Sequence, residues 1–164
     1  MTAENETCCF TGHRTGKLPW GGNESSPECI SFLTSLRIQL VRLIALGYRH
    51  FICGMALGAD LLFAETVAQL KKSFTGITLE AAVPCPEQTE QWTPAQKARY
   101  EALLARCDAV TVVSPKYTSG CMMKRNRYMV DKSAAVLAYC RSGSGGTAAT
   151  VRYATDRNKS VIKL

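Results

Sequence analysis

The chain has 164 residues, of which 46% are hydrophobic and 20% are charged, as in a folded domain rather than a disordered segment. Its formal net charge of +7 suits a nucleic acid or a small phosphorylated ligand as partner. The sequence contains neither a run near the ~20 apolar residues of a membrane span nor a signal-peptide pattern. We therefore expect a single cytoplasmic domain over residues 1–164.

Eight cysteines are spread along the chain, mostly inside apolar runs. They include no Cys-x-x-Cys pair, and the chain has only two histidines, so no metal is expected. We interpret the cysteines as reduced, small core residues. Cys121 lies near Lys124 and Arg125 in the sequence, and two interpretations are open for it: a reactive thiol or one more core residue.

The apolar run from Thr7 to Thr11 predicts a first buried strand, and Gly12, His13 and Arg14 follow it. Polar side chains at the end of a strand either bind a ligand or only solvate the loop. We expect Arg14 to bind a ligand, whereas His13 fits either role. Residues 15–26 are rich in Gly, Pro, Ser and Asn and predict a loop.

A helix should follow this loop, because Ser25 and Glu28 have the spacing of a capping box and Pro27 suits a first helical turn. Apolar residues then recur at helical spacing as far as Ile44. Gly47 should end this helix.

The stretch from His50 to Asp60 predicts a strand, a tight turn and the start of a second helix. Gly54 would allow a ligand to approach the backbone, and Gly58 would allow the helix to begin close to the strand. The free N–H groups at such a helix start favour an anion. The same turn also closes strand–helix units that bind nothing, so both interpretations stay open.

Four further strands are predicted at residues 77–83, 109–113, 134–140 and 160–164. Residues 109–113 are so apolar and β-branched that we expect a strand buried on both faces. The alternation predicts a doubly wound, mostly parallel α/β sheet, Rossmann-like, in three layers. With the strand order 3-2-1-4-5-6, the loops after strands 1, 2, 4 and 5 would meet at one edge of the sheet.

Polar segments separate the later strands. Residues 87–93 form either a lid over the site or a plain surface connection. Residues 117–131 predict a charged helix, in which Arg125 and Asn126 either contact phosphate or ribose or only solvate a helix face. A second Gly-rich turn, residues 143–147, follows the fifth strand and carries a Thr that can cap a helix or bind phosphate.

Several of these segments, taken together in chain order, match a known family. They are Cys-Phe-Thr-Gly-His-Arg at 9–14, Gly-Met-Ala-Leu-Gly-Ala-Asp at 54–60, the segment 92–100, Arg-Asn-Arg-Tyr-Met-Val-Asp at 125–131, Gly-Gly-Thr at 145–147 and Tyr-Ala at 153–154. The chain thereby resembles the YpsA-like branch of the SLOG superfamily, which includes the DNA-processing protein DprA and the LOG enzymes that release cytokinin bases from nucleotides. The resemblance implies a Rossmann-like fold with a pocket for a nucleotide or a nucleotide-derived ligand.

The chain departs from the LOG pattern at one chemically important position. LOG enzymes carry Pro-Gly-Gly-x-Gly-Thr-x-x-Glu, whose glutamate helps to break the glycosidic bond. If Gly146 and Thr147 match their Gly-Thr pair, Thr150 stands in place of that glutamate. Asp60 is a substitute candidate for the acid or base, or else only a capping carboxylate.

We therefore expect a binding or sensor domain for a nucleotide or an ADP-ribose-like ligand. A LOG-like, nucleotide-processing hydrolase acting on an N-glycosidic or phosphoester bond is the alternative. Binding of single-stranded nucleic acid is a third and less favoured hypothesis, because no basic stripe is interleaved with exposed aromatic residues. A homo-oligomer is compatible with this fold class. The residues expected to bind the ligand are Thr11, Gly12, His13, Arg14, Gly54, Met55, Ala56, Gly58, Asp60, Arg125, Asn126, Gly145, Gly146 and Thr147.

Overall fold

Strands and helices alternate along the chain in the computed structural model, which describes residues 3–164. The strands are Thr7–Gly12 (β1), His50–Cys53 (β2), Thr78–Val83 (β3), Ala109–Val112 (β4), Ala135–Tyr139 (β5) and Ser160–Lys163 (β6). The helices are Pro27–Ala45 (α1), Ala59–Leu70 (α2), Pro94–Leu104 (α3), Cys121–Asp131 (α4) and Gly146–Asp156 (α5). Met1 and Thr2, which the single-domain expectation includes, lie outside the described residues.

The six strands form one parallel sheet in the order β4-β3-β2-β1-β5-β6. Successive side chains of β1 point to opposite faces, so that Phe10 joins the core beneath α1, α2 and α3, while Cys9 joins the smaller core beneath α4 and α5. The predicted Rossmann-like α/β fold is confirmed. Among the described residues, no helix has the length and hydropathy needed to cross a membrane.

The predicted strand order 3-2-1-4-5-6 is wrong. β5, not β4, pairs with β1, and β4 lies at the edge of the sheet beside β3. The chain must therefore cross from β4 over the sheet to β5, and α4 provides this crossover, contacting β3 and β1 on its way. Lateral order depends on how helices pack on the two faces, which the apolar pattern of a single strand does not record.

The expectation that residues 109–113 form a strand buried on both faces is also wrong. Val110 and Val112 are 50% and 49% exposed, because β4 has a neighbour on one side only. A β-branched, apolar run has the same composition in a central strand and in an edge strand.

Two local expectations also need correction. Ser26, not Ser25, caps α1: its Oγ accepts the Cys29 N–H at 3.3 Å, with Pro27 in the first helical position. Cys121 is completely buried, since it points inward from the first turn of α4, so the reactive-thiol interpretation is wrong. All eight cysteines are free thiols, and six of them are buried, whereas Cys107 and Cys140 are half-buried.

Gly58 is the position at which the turn before α2 most needs a glycine. Its φ of +100° and ψ of −130° lie in a region that residues with a Cβ avoid. A Cβ there would also lie 2.7 Å from Thr15 N and 2.8 Å from His13 O. The turn after β2 therefore packs directly on the loop after β1, and this packing fixes the two loops relative to each other.

We expect Gly58→Ala to lower the free energy of unfolding by at least ~3 kcal/mol, because backbone strain adds to a clash with main-chain atoms. Gly47→Ala is the matched control, since Gly47 has the same φ of +100° but no atom within 4 Å of its Cβ position. It should cost only about 1 kcal/mol. Urea unfolding monitored by circular dichroism measures both, and equal losses would contradict the packing explanation.

Candidate functional site

The direction in which successive strands are added to the sheet reverses beside β1. Strands β2, β3 and β4 lie on one side of β1, and β5 and β6 lie on the other. In open parallel sheets, ligands bind beyond the carboxyl ends of the strands at such a reversal. A cleft of about 260 Å³ lies at this place. The loops after β1 and β5 and the start of α4 form its walls, and the turn before α2 contributes to its floor.

Most of the predicted ligand residues lie together in this cleft, although the prediction rested on a wrong strand order. The loop after β1 stays central in either order, and α4 carries its residues across the sheet to this point. The predicted residues that line the cleft are Thr11, Gly12, His13, Arg14, Ala56, Asp60, Arg125, Asn126, Gly146 and Thr147. Their binding of a ligand stays a prediction.

Four predicted residues do not line the cleft. Met55 is fully buried in the main core, with a φ of +57°. A Cβ on Gly54 would collide with Arg125 and Asp60, and Gly58 faces the loop after β1. Gly145 precedes α5 and faces the amino group of Lys17. At Gly54 and Gly58, the protein's own groups fill the space that we expected a ligand to use.

Arg125 is a buried cation at the centre of the site, with 4% of its surface exposed. Its Nη1 donates to the carbonyl groups of Gly54 and Ala82, the latter at 3.2 Å, and its Nε donates to Asn126 Oδ1 at 2.8 Å. Gln88 Nε2 also donates to the Gly54 carbonyl, at 3.0 Å. Residues 87–93 are thus anchored to the same carbonyl as α4.

A half-buried polar cluster around the carboxyl group of Glu80 holds α4 on the sheet one turn beyond Arg125. Tyr128 Oη and Thr111 Oγ1 donate to Glu80 Oε1 at 2.6 and 2.8 Å, and His50 Nε2 lies 2.6 Å from Glu80 Oε2. Burial raises the pKa of Glu80, but these three hydrogen bonds outweigh it, and the net pKa lies below its usual value. The ionised carboxylate therefore connects β2, β3 and β4 to α4, which positions Arg125 and Asn126.

His13 connects the two loops that form the walls. Its Nε2 accepts the Arg141 N–H at 2.7 Å, so the ring must carry its proton on Nδ1. Burial, with a smaller effect of the Lys17 charge, lowers its pKa. This hydrogen bond gives His13 a structural role that neither interpretation included, since it ties the loop after β5 to the end of β1.

Asp60 lies on the floor of the cleft and is 6% exposed. Its Oδ2 accepts the Ala56 N–H at 3.1 Å, so it braces the turn before α2 rather than capping the helix, whose N-cap Gly58 has no side-chain bond. Burial raises its pKa to about 6, against the opposing effects of Arg125 and the Ala56 N–H. Within residues 3–164, Asp60 Oδ1 accepts no hydrogen bond.

Sequence reasoning missed several residues of the cleft. Lys17 belongs to a loop that we treated as a connection, and Ser144 belongs to the second Gly-rich turn but was not among the expected ligand residues. Both lie only a few residues after a predicted strand, a signal that could have found them. No sequence signal could have found the methionines, because only the crossing of α4 over the sheet brings them here. The missed lining residues are Phe10, Gly16, Lys17, Met122, Met129 and Ser144.

The raised pKa of Asp60 predicts a pH dependence of stability. The folded state holds this proton up to about pH 6, whereas an unfolded Asp releases it near 3.8, so ionisation weakens the fold as the pH rises through this window. Asp60→Asn removes the effect. When the pH rises from 4.5 to 7.5, we expect the unfolding free energy of wild type to fall by about 2 kcal/mol relative to that of Asp60→Asn.

Urea unfolding of both proteins at the two pH values measures this difference. Asp156→Asn is the matched control, because it removes the same charge from an exposed site on α5. A difference of equal size in this control would assign the effect to net charge rather than to the buried carboxyl.

Comparison with known proteins agrees with this fold. A UPF0398 protein of Bacillus pumilus is 31% identical over 117 residues, which are 70% of this chain and 63% of that protein. The DprA structure of Streptococcus pneumoniae has a TM-score of 0.60 and 15% identity, covering 97% of this chain and 50% of DprA. The DprA structure of Helicobacter pylori has a TM-score of 0.58 and 18% identity, covering 98% and 65%.

These similarities differ in what they show. This chain spans less than two thirds of the length of the Bacillus pumilus relative, and the identities to the DprA structures are low enough to show the fold alone. The model of one family, described as the YspA SLOG family, matches residues 8–161, which is nearly the whole sequence. The chain therefore belongs to the YspA SLOG family.

Proposed function

We propose that the cleft binds a phosphorylated small molecule of the nucleotide class. The first turn of α5 is the observation that carries this proposal. Its first backbone N–H groups, those of Gly146, Thr147 and Ala148, have no acceptor among the described residues. Free N–H groups at a helix start, with the positive end of the helix dipole behind them, favour a phosphate.

Three cations add to this anion site. Lys17 lies beside the start of α5, since a Cβ on Gly145 would be 2.8 Å from its Nζ. Arg14 is exposed at the opening, and Arg125 is buried in the wall. The cleft has one lining carboxylate, Asp60, against these three cations. Charge-assisted hydrogen bonds from such groups are the stronger ones in phosphate recognition.

The volume of the cleft supports a small ligand. The volume of about 260 Å³ lies just below the range of small-molecule pockets, which starts at roughly 300 Å³. This volume suits one mononucleotide better than a dinucleotide. An ADP-ribose-like ligand would place part of its length outside the cleft.

Binding without turnover is the mode we propose, as in a sensor domain. Thr150, at the position of the LOG glutamate, is fully buried, and its hydroxyl donates to the Gly146 carbonyl at 2.8 Å. A hydroxyl engaged within its own helix is a poor substitute for a catalytic carboxylate. Hydrolysis would therefore depend on Asp60, the one carboxylic acid among the described residues that line the cleft.

Single-stranded nucleic acid is a second candidate partner. The DprA protein of Helicobacter pylori, which shares this fold, has a single-stranded DNA binding mode, and the present chain carries a net charge of +7. A strand would place one phosphate at α5 and the others along the surface. This partner predicts a steep fall of affinity with salt, because each neutralised phosphate releases counterions.

We expect a 5′-mononucleotide to bind the wild-type protein and Lys17→Gln to weaken that binding about tenfold, because a charge-assisted hydrogen bond to phosphate is lost. Isothermal titration with AMP, GMP, CMP, UMP and ADP-ribose measures the affinity, and chromatography of each ligand after long incubation detects turnover. Lys116→Gln is the control, since Lys116 is exposed in the loop before α4 and lies outside the cleft.

Three other results would change this conclusion. Absence of binding by every nucleotide would overturn the proposal. Conversion of a bound nucleotide to free base or phosphate would make the protein a hydrolase. Tighter binding of oligo(dT) than of any mononucleotide, with a steep salt dependence, would favour the nucleic-acid candidate.

A further inference from the structure

Asp60 is an acid in a cleft whose other charged lining residues are cations. Only 6% of its surface is exposed, and its Oδ2 accepts a hydrogen bond from the Ala56 N–H at 3.1 Å. The other oxygen, Oδ1, accepts no hydrogen bond from residues 3–164. No fully enclosed side-chain oxygen lacks a partner among those residues, so Oδ1 opens into the cleft that the carboxyl lines.

Asp60 Oδ1 faces the cleft without a donor from the described residues, so a ligand that covers it must supply a donor, because a covered carboxylate oxygen without a partner is costly. A phosphate cannot meet this need, because two negative groups repel each other. The donor must therefore be an uncharged O–H or N–H group on a part of the ligand away from its phosphate.

The sheet sets the distance between the two ends of such a ligand. Asp60 follows β2, whereas the first turn of α5 follows β5, and β1 lies between these strands. The first turn of α2 lies against the loop after β1, because Ala59 N donates to His13 O at 3.1 Å. One to two strand spacings, roughly 5 to 10 Å, therefore separate it from the end of β5. A phosphate at α5 and a donor at Asp60 are thus separated by about the span of a sugar phosphate, and the loop after β1 lies beneath both.

We infer that Asp60 Oδ1 accepts a hydrogen bond from a ribose hydroxyl of the bound ligand, which makes the ligand a ribonucleoside 5′-phosphate. This inference rests on the proposed function, because it takes the phosphate to lie at α5. It assigns Asp60 a role in specificity. An inorganic phosphate or a nucleotide without sugar hydroxyls would leave the Asp60 oxygen unpaired.

The test compares the tightest-binding of AMP, GMP, CMP and UMP with its 2′,3′-dideoxy counterpart by isothermal titration at pH 8, where the carboxyl is ionised. We expect the wild-type protein to bind the dideoxy compound at least about tenfold more weakly, since a hydrogen bond to a charged group is lost. Asp60→Asn should reduce this difference to less than about threefold.

The dideoxy ligand also separates a direct contact from a structural role. Asp60→Asn should bind it as well as wild type does, or better, because a repulsive charge has been removed. A merely structural role would weaken both ligands equally and would overturn the inference. Asp156→Asn, which loses the same charge at an exposed position, should keep the wild-type difference.

Two further outcomes keep the inference separate from the proposed function. Equal binding of both ligands by wild type would overturn the role of Asp60 but leave the phosphate site intact. Absence of binding by all four ribonucleotides would overturn the proposed function itself. If Asp60→Asn fails to fold, Asp60→Ser, whose hydroxyl can still accept the Ala56 N–H, is the second variant for the same comparison.

Discussion

The site depends on the carbonyl group of Gly54, at the end of β2. Arg125 from α4 and Gln88 from the segment after β3 both donate to it, so two distant parts of the chain meet at one main-chain oxygen. The guanidinium can approach only because Gly54 has no Cβ, which would lie 2.5 Å from Arg125 Nη1. A buried arginine without such partners would be costly. The Gly54 carbonyl therefore fixes the first half of α4 on the sheet, and with it one wall of the cleft.

The distribution of charge in the cleft follows from this arrangement. Arg125 is enclosed and hydrogen-bonded within the protein, so its charge contributes a fixed field rather than a movable contact. Arg14 and Lys17 are exposed and can reorient toward a ligand. Asp60 is buried close to Arg125, and their mutual influence is visible in the pKa of each: burial raises that of Asp60 and lowers that of Arg125, while each charge opposes the shift of the other.

The two faces of the sheet contribute differently. Three helices cover one face and enclose the larger core, whereas α4 and α5 alone cover the other. On that second face, hydrogen bonds replace part of the apolar packing, with Glu80 as the common acceptor of Tyr128 and Thr111. These directional bonds specify one orientation of α4, which apolar contacts with an edge strand as exposed as β4 could not do.

The sequence by itself determined the alternation of strands and helices, the polar strand ends and the two Gly-rich turns, because hydrophobic periodicity and turn chemistry are local properties. It therefore predicted the Rossmann-like fold and most of the residues that line the cleft. Only the tertiary structure decided the lateral order of the strands, the exposure of β4 and the burial of Cys121. Only the structure, too, shows that Arg125 and Asp60, and not a ligand, fill the space beside Gly54. These features depend on which surfaces pack against each other across long stretches of chain, and such contacts leave no periodic signal in either partner.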